Sequence, residues 1–125
     1  MKEMIVTQGA PAAIGPYSQG ICAGDLVITS GQLPIDPTTG SMAQGDVAAQ
    51  TRQSLANVQA VLAQAGLTMD NVIKTTVFLK NMDDFSAMNE VYASFFGKEA
   101  PARSAVEVAK LPKDALVEIE AIACR

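Results

Sequence analysis

The spacing of apolar positions changes along the chain, and each change marks an element. Met4-Ile5-Val6 predicts a short strand. Gly9-Ala10-Pro11 and Gly15-Pro16 then punctuate an extended loop. Tyr17 to Ala23 predicts a second strand, Gly24-Asp25 a turn and Leu26-Val27-Ile28-Thr29 a third strand, which together make a hairpin. Asp36-Pro37-Thr38-Thr39-Gly40 is a turn in which proline presets one φ and glycine supplies a positive one. From Val47 the spacing becomes helical, with Thr51, Leu55, Val58, Leu62 and Ala65 following at intervals of three or four. Asp46 is placed to cap that helix and Gly66 to end it. Val72 to Lys80 is rich in β-branched residues and alternates, which predicts a strand. Asp83 or Asp84 is expected to open a second helix with Phe85, Met88, Tyr92 and Phe95 on one side, stopped at Gly97. Two strands close the chain, Ala102 to Ala109 and Ala115 to Cys124, joined through Leu111-Pro112-Lys113-Asp114.

The order β-β-β-α-β-α-β-β predicts an α+β fold of a single domain over residues 1–125. Two helices with one apolar face each suffice to cover one side of a six-stranded sheet. The other side is left over. On the last strand Val117, Ile119, Ala121 and Ala123 share one face, while Glu118, Glu120 and Ile122 share the opposite one. An apolar face mixed with a few charges suits a subunit interface, so a closed homo-oligomer is expected.

Charge and composition narrow the chemistry. The net charge is −4 with nine Lys plus Arg, so the basic stripe on which nucleic-acid binders rely is missing. No apolar run approaches the roughly 18 residues that span a bilayer, and the N-terminus lacks a basic-then-apolar signal pattern, so a cytoplasmic protein is expected. Cys22 and Cys124 stand in no metal-binding or redox spacing and read as two buried free thiols. The chain has no histidine. Ser-His and Cys-His nucleophile pairs are thereby excluded, and with them the commonest metal ligand. No metal or cofactor site is expected.

Four groups of residues remain as candidates. Arg103, directly after Pro101-Ala102 at the start of a strand, suits a two-pronged grip on a carboxylate. By spacing alone, a surface arginine or an ion pair with Glu107 or Glu118 is the commoner reading. Glu118 and Glu120 could orient a water or shuttle a proton, or stand as two partly exposed acids on one strand face. Tyr17 could close a pocket with its ring, Ser30 could add a hydroxyl and Gly31 could let a ligand approach the backbone. Ordinary turn and strand chemistry also accounts for these three. Asn89 lies beside the apolar stripe of the second helix, where boundary residues are common.

Seven segments, in order, carry a resemblance over nearly the whole chain. They are Ala10-Pro11-Ala12-Ala13-Ile14-Gly15-Pro16-Tyr17-Ser18-Gln19-Gly20, Thr29-Ser30-Gly31-Gln32, Asp46-Val47-Ala48-Ala49-Gln50-Thr51, Lys74-Thr75-Thr76-Val77-Phe78-Leu79, Pro101-Ala102-Arg103-Ser104, Leu111-Pro112-Lys113-Asp114 and Val117-Glu118-Ile119-Glu120-Ala121. Together they resemble the RidA (reactive intermediate deaminase A, or YjgF) family. The resemblance implies a chorismate-mutase-like fold, a homotrimer with clefts between neighbouring subunits, and hydrolysis of 2-enamino and 2-imino acids such as 2-iminobutanoate and 2-iminopropanoate. Such substrates are released by pyridoxal-phosphate enzymes such as threonine dehydratase. It further implies that Arg103 clamps the substrate carboxylate and Glu118 positions water. Tyr17 would come from the adjacent subunit, with Ser30, Gly31 and Asn89 lining the cleft and the backbone at Ala105 touching the ligand. A ribonuclease activity, or a non-catalytic trimer that binds 2-oxo acids or shields other proteins, are the alternatives the family leaves open. The chain departs from some relatives at Ala105, where they carry cysteine, and in its shorter segment Gly97-Lys98-Glu99-Ala100.

Overall fold

A computed structural model describes all residues, 1–125, as one six-stranded mixed sheet with two helices packed on one face. The strands are β1 (Lys2–Ile5), β2 (Gly20–Ala23), β3 (Leu26–Thr29), β4 (Val72–Leu79), β5 (Ala102–Glu107) and β6 (Val117–Cys124), and the helices are α1 (Val47–Gln64) and α2 (Phe85–Phe95). Their spatial order is β1-β2-β3-β6-β4-β5; only the β4–β5 pair is parallel, joined by the crossover through α2. No helix is long and apolar enough to cross a membrane.

The helix boundaries follow from their caps. Asp46 Oδ1 accepts the Ala49 N–H at 3.1 Å, and Gly66 at φ +81° takes the left-handed position after the last turn. At α2 the outcome differs from the sequence reading. Asp84 occupies the N-cap position but its side chain caps nothing. Asn81 instead caps a preceding single turn, Met82–Asp84, by accepting the Asp83 N–H at 2.9 Å.

The predicted strands are trimmed for local reasons. β1 starts earlier than expected, because Lys2 to Ile5 pair in register with Gly20 to Ala23. β2 begins only at Gly20; Gly15 at φ +130° folds the Tyr17 N–H back onto its carbonyl at 2.9 Å, so Tyr17 lies in a bend. The buried Gln19 amide ties this loop down, donating to the carbonyls of Thr7 and Pro11 at 2.9 and 2.8 Å. β4 and β5 end at Leu79 and Glu107, short of the expected Lys80 and Ala109. Ala115 and Leu116 belong to the turn before β6 rather than to the strand.

Alternation along β6 sorts the two layers. Val117, Ile119, Ala121 and Ala123 are buried against the helices with Leu55, Val58 and Leu62 of α1. Glu118, Glu120, Ile122 and Cys124 point to the bare face and are half-buried. Cys22 packs toward the core and both thiols are only partly buried, which corrects the expectation of two buried cysteines. Ile28, Ile73 and Val106 add exposed apolar surface.

Candidate active site

Arg103 is the second residue of β5, an edge strand, and Pro101 fixes the approach of the chain to it. In the parallel register it stands beside Thr75, which is buried under α2, so its side chain rises on the helix-covered face. There Arg103 Nη1 donates to Asn89 Oδ1 at 2.6 Å. The guanidinium carbon lies 4.7 Å from the centroid of the Tyr92 ring and 5.3 Å from that of Phe85. Tyr92 is itself fixed by a 2.7 Å bond between its hydroxyl and Thr75 Oγ1. Burial raises the pKa of that hydroxyl, which keeps the ring neutral beneath the cation. One of five guanidinium N–H donors is used within the chain, and the other four make no hydrogen bond in it. Beside it opens a hollow of about 390 Å³ lined by Asn89, Phe96, Pro101 and Arg103 among others. Ala105 lies two residues on, opposite Val77, on the same face and against the core.

The ion pairs weighed for Arg103 do not form. Glu107 Oε1 accepts the Met82 N–H at 2.8 Å, ahead of α2. Glu118 pairs across the sheet with Phe78, whose neighbours Val77 and Leu79 fill the core, so it projects from the bare face. Arg103 and Glu118 of one chain therefore stand on opposite sides of the sheet.

On the bare face a second group gathers. Gln32 bridges Ile119 through two backbone bonds of 2.7 and 3.2 Å, which lays Gly31 alongside Glu118. The fit is close: a Cβ on Gly31 would stand 2.7 Å from Glu118 Oε2 and 2.9 Å from its Cδ. Glu118 accepts no hydrogen bond from the chain's side chains or backbone. Burial, and then the charge of Glu120, raises its pKa above the ordinary glutamate value. Ser30 Oγ donates to Ser18 O at 2.5 Å, which holds the Tyr17 bend against the end of β3. Tyr17 remains 53% exposed, and its ring shares a cleft of about 470 Å³ with Gly31, Gln32 and Lys113. Tyr17, Ser30, Gly31 and Glu118 are thus brought together, while Asn89, Arg103 and Ala105 form a separate group.

The closeness of Gly31 to Glu118 has a measurable consequence. Gly31→Ala needs no positive φ, and the atoms it meets are the mobile end of Glu118, so the fold should survive with a melting temperature within a few degrees. The displaced carboxylate should lower turnover at least tenfold. A variant that keeps full turnover would show that Glu118's position is immaterial.

Sequence reasoning missed Tyr92 as the platform under Arg103, because a tyrosine on a helical apolar stripe reads as core. Only the register that sets Thr75 beside Arg103 exposes its second task. Lys113 reads as a turn residue in the sequence, and the structure sets it in the lining of the Tyr17 cleft.

Fold and side chains together define a class: a two-layer α+β domain of chorismate-mutase-like architecture, with an arginine cradle on the covered face and a raised-pKa glutamate on the bare one. The family model described as Endoribonuclease L-PSP matches residues 7–125. The chain is 58% identical over 123 residues to a RutC family protein of Pyrococcus horikoshii, covering 98% of each. It is 56% identical over 128 residues to a 2-iminobutanoate/2-iminopropanoate deaminase of Salmonella typhimurium, covering 100% of this chain and 99% of the relative. The crystal structure of E. coli TdcF with bound serine superposes with a TM-score of 0.93 at 52% identity, over 98% of each chain. The chain belongs to the RidA (YjgF) family.

Proposed function

We propose that the protein is a hydrolase that deaminates reactive 2-imino and 2-enamino acids, 2-iminobutanoate and 2-iminopropanoate among them, to 2-oxo acids and ammonia. The observation that carries this reading is the Arg103 guanidinium, stacked on Tyr92, steadied by Asn89 and left with free donors in a planar fork. That arrangement suits the α-carboxylate shared by every 2-imino acid. The Salmonella deaminase, alike over its full length, supports the same substrate class, and the serine bound to TdcF carries the same carboxylate.

The chemistry asks little of the protein. Water adds to the imine carbon, the nitrogen is protonated, and ammonia leaves as the C=O double bond forms. Holding the substrate and placing that water can account for several kcal/mol, up to about 7–11 in the best-oriented cases. Glu118 in its ionised form accepts a proton from the water and returns it to the departing nitrogen. Neither histidine nor a metal enters this scheme.

Because Arg103 and Glu118 occupy opposite faces of one sheet, the reading requires two copies. Arg103 and Asn89 of one subunit, with the backbone at Ala105, would face Tyr17, Ser30, Gly31 and Glu118 of the next, in clefts of a homotrimer. The half-buried acids and exposed apolar groups of the bare face support such an assembly. Light scattering should give three chains per particle at micromolar concentration; a monomer that still turns over would end the two-copy site. The reading places the protein in the cytoplasm, where pyridoxal-phosphate enzymes release these intermediates. An RNA-cleaving role gains nothing from a chain of net charge −4 without a basic stripe.

The activity test couples threonine dehydratase to this protein and follows 2-oxobutanoate and ammonia release. Addition of the protein should speed the disappearance of the imine above its spontaneous rate. No acceleration at any protein concentration would refute the deaminase reading.

A further inference from the structure

The segment between β5 and β6 carries backbone strain that neither the fold nor the proposed chemistry has used. Lys113 (φ 56°, ψ 24°) and Asp114 (φ 56°) are consecutive left-handed residues, and neither is glycine. They are the only non-glycine residues of the chain at positive φ. Each such residue costs on the order of 1–2 kcal/mol, which surrounding contacts must offset. Those contacts are visible. Asp114 Oδ1 meets Lys80 Nζ at 2.7 Å in the chain's one salt bridge, and the Lys80 N–H donates to Leu116 O at 3.0 Å. Pro112 opens the turn with a preset φ, and the Ala115 N–H closes it on the Pro112 carbonyl at 3.2 Å.

The pinning acts on Asp114 and leaves Lys113 without a carboxylate partner. Lys113 lines the cleft that also holds Tyr17 and Gly31, and every other residue lining that cleft is uncharged. Gly31 is the wall against which the Glu118 carboxylate rests. The cleft therefore adjoins Glu118 through Gly31 and holds Lys113 as its one charged residue. An ammonium is a hydrated point charge that attracts an anion without demanding a fixed geometry.

We propose that Lys113 is a specificity determinant that reads a second carboxylate, at the far end of the substrate side chain, and so extends the enzyme's range to 2-imino dicarboxylic acids. This inference rests on the deaminase reading of the same site. It adds no step to the hydrolysis: Arg103 takes the α-carboxylate, water attacks as before, and Lys113 only holds the distal group.

The test compares two imines made in situ by an amino-acid oxidase, one from aspartate and one from alanine, with wild type, Lys113→Ala, Lys113→Arg and Lys113→Gly. The measured quantity is the ratio of kcat/KM for the dicarboxylic imine to that for the monocarboxylic one. Lys113→Ala should lower this ratio at least tenfold, mostly through KM, and Lys113→Arg should restore most of it. Lys113→Gly removes the charge while relieving the left-handed strain, so it should fold at least as stably as wild type and show the same lowered ratio. A ratio that Lys113→Ala and Lys113→Gly leave unchanged overturns the assignment, as does a wild type inert toward the aspartate-derived imine but active on the other. A wild type inert toward both imines would instead bring down the deaminase reading beneath it.

Discussion

Arg103→Lys should lose most of its activity while keeping its fold. Lysine retains the charge but offers a single ammonium in place of the planar fork, and it cannot lie flat on Tyr92 as the guanidinium does at 4.7 Å. A charge-assisted hydrogen bond lost in a partly buried site is worth about 1.5–3 kcal/mol, which is roughly a ten- to hundredfold fall in kcat/KM. The melting temperature should barely move, since Arg103 sits on an edge strand and makes no salt bridge. Binding of a 2-oxo acid, measured by calorimetry, should weaken in step with kcat/KM. Retained turnover by the lysine variant would remove Arg103 from the clamp.

Glu118→Gln should behave differently, lowering kcat by about 10²-fold with little change in 2-oxo-acid affinity, because glutamine matches the shape but takes no proton. A collapse of binding without a fall in kcat would make Glu118 a structural residue. The wild-type pH profile follows from the same group. In the proposed scheme Glu118 must be ionised to accept the proton, and within one chain burial followed by the Glu120 charge raises its pKa. The acid limb of kcat/KM should therefore lie above the ordinary glutamate range and vanish in the glutamine variant.

Stability carries the opposite sign at this position. A carboxyl whose pKa is raised on folding holds its proton more tightly in the folded chain than in the unfolded one. Its contribution is favourable below the unfolded pKa and is lost as pH climbs through the raised value. Glu118→Gln should thus melt higher than wild type at pH 7, and that advantage should disappear on acidification. An unchanged difference across pH would mean that Glu118 titrates normally.

Much of the fold was legible because both helices announce themselves through apolar spacing, and α1 does so again through its end signals. For α1, Asp46 and Gly66 bracket the stripe of Val47, Leu55, Val58 and Leu62, and the structure keeps both boundaries. The weaker readings came where a local preference met a competing contact. Tyr17 has strand propensity, yet Gly15 and the Gln19 amide bend its segment into a loop. Asp84 is a good capping residue, but Asn81 starts the turn earlier and takes the capping bond.

The residue types of the proposed site were also readable: an arginine after a proline, an acid on an alternating strand, and a glycine at a strand end. The spacing did not reveal which of them meet. Arg103 and Glu118 lie fifteen positions apart and both sit near strand starts, so they look like one constellation in a line of text. The sheet order puts β4 between β5 and β6, and the register then sends one side chain up and the other down. Asn89, a boundary residue by spacing and a cleft residue by resemblance, accepts a hydrogen bond from the guanidinium.

The sequence by itself determined the elements, the layer that the helices cover and the exclusion of histidine chemistry, since these depend on composition and on periods of about two and 3.6 residues. Tertiary structure alone decided which faces Arg103 and Glu118 occupy, that Gly31 touches Glu118, and that Lys113 stands alone in its cleft. Those facts depend on long-range strand pairing and on strain that distant residues such as Lys80 hold in place. Neither leaves a local mark in the chain.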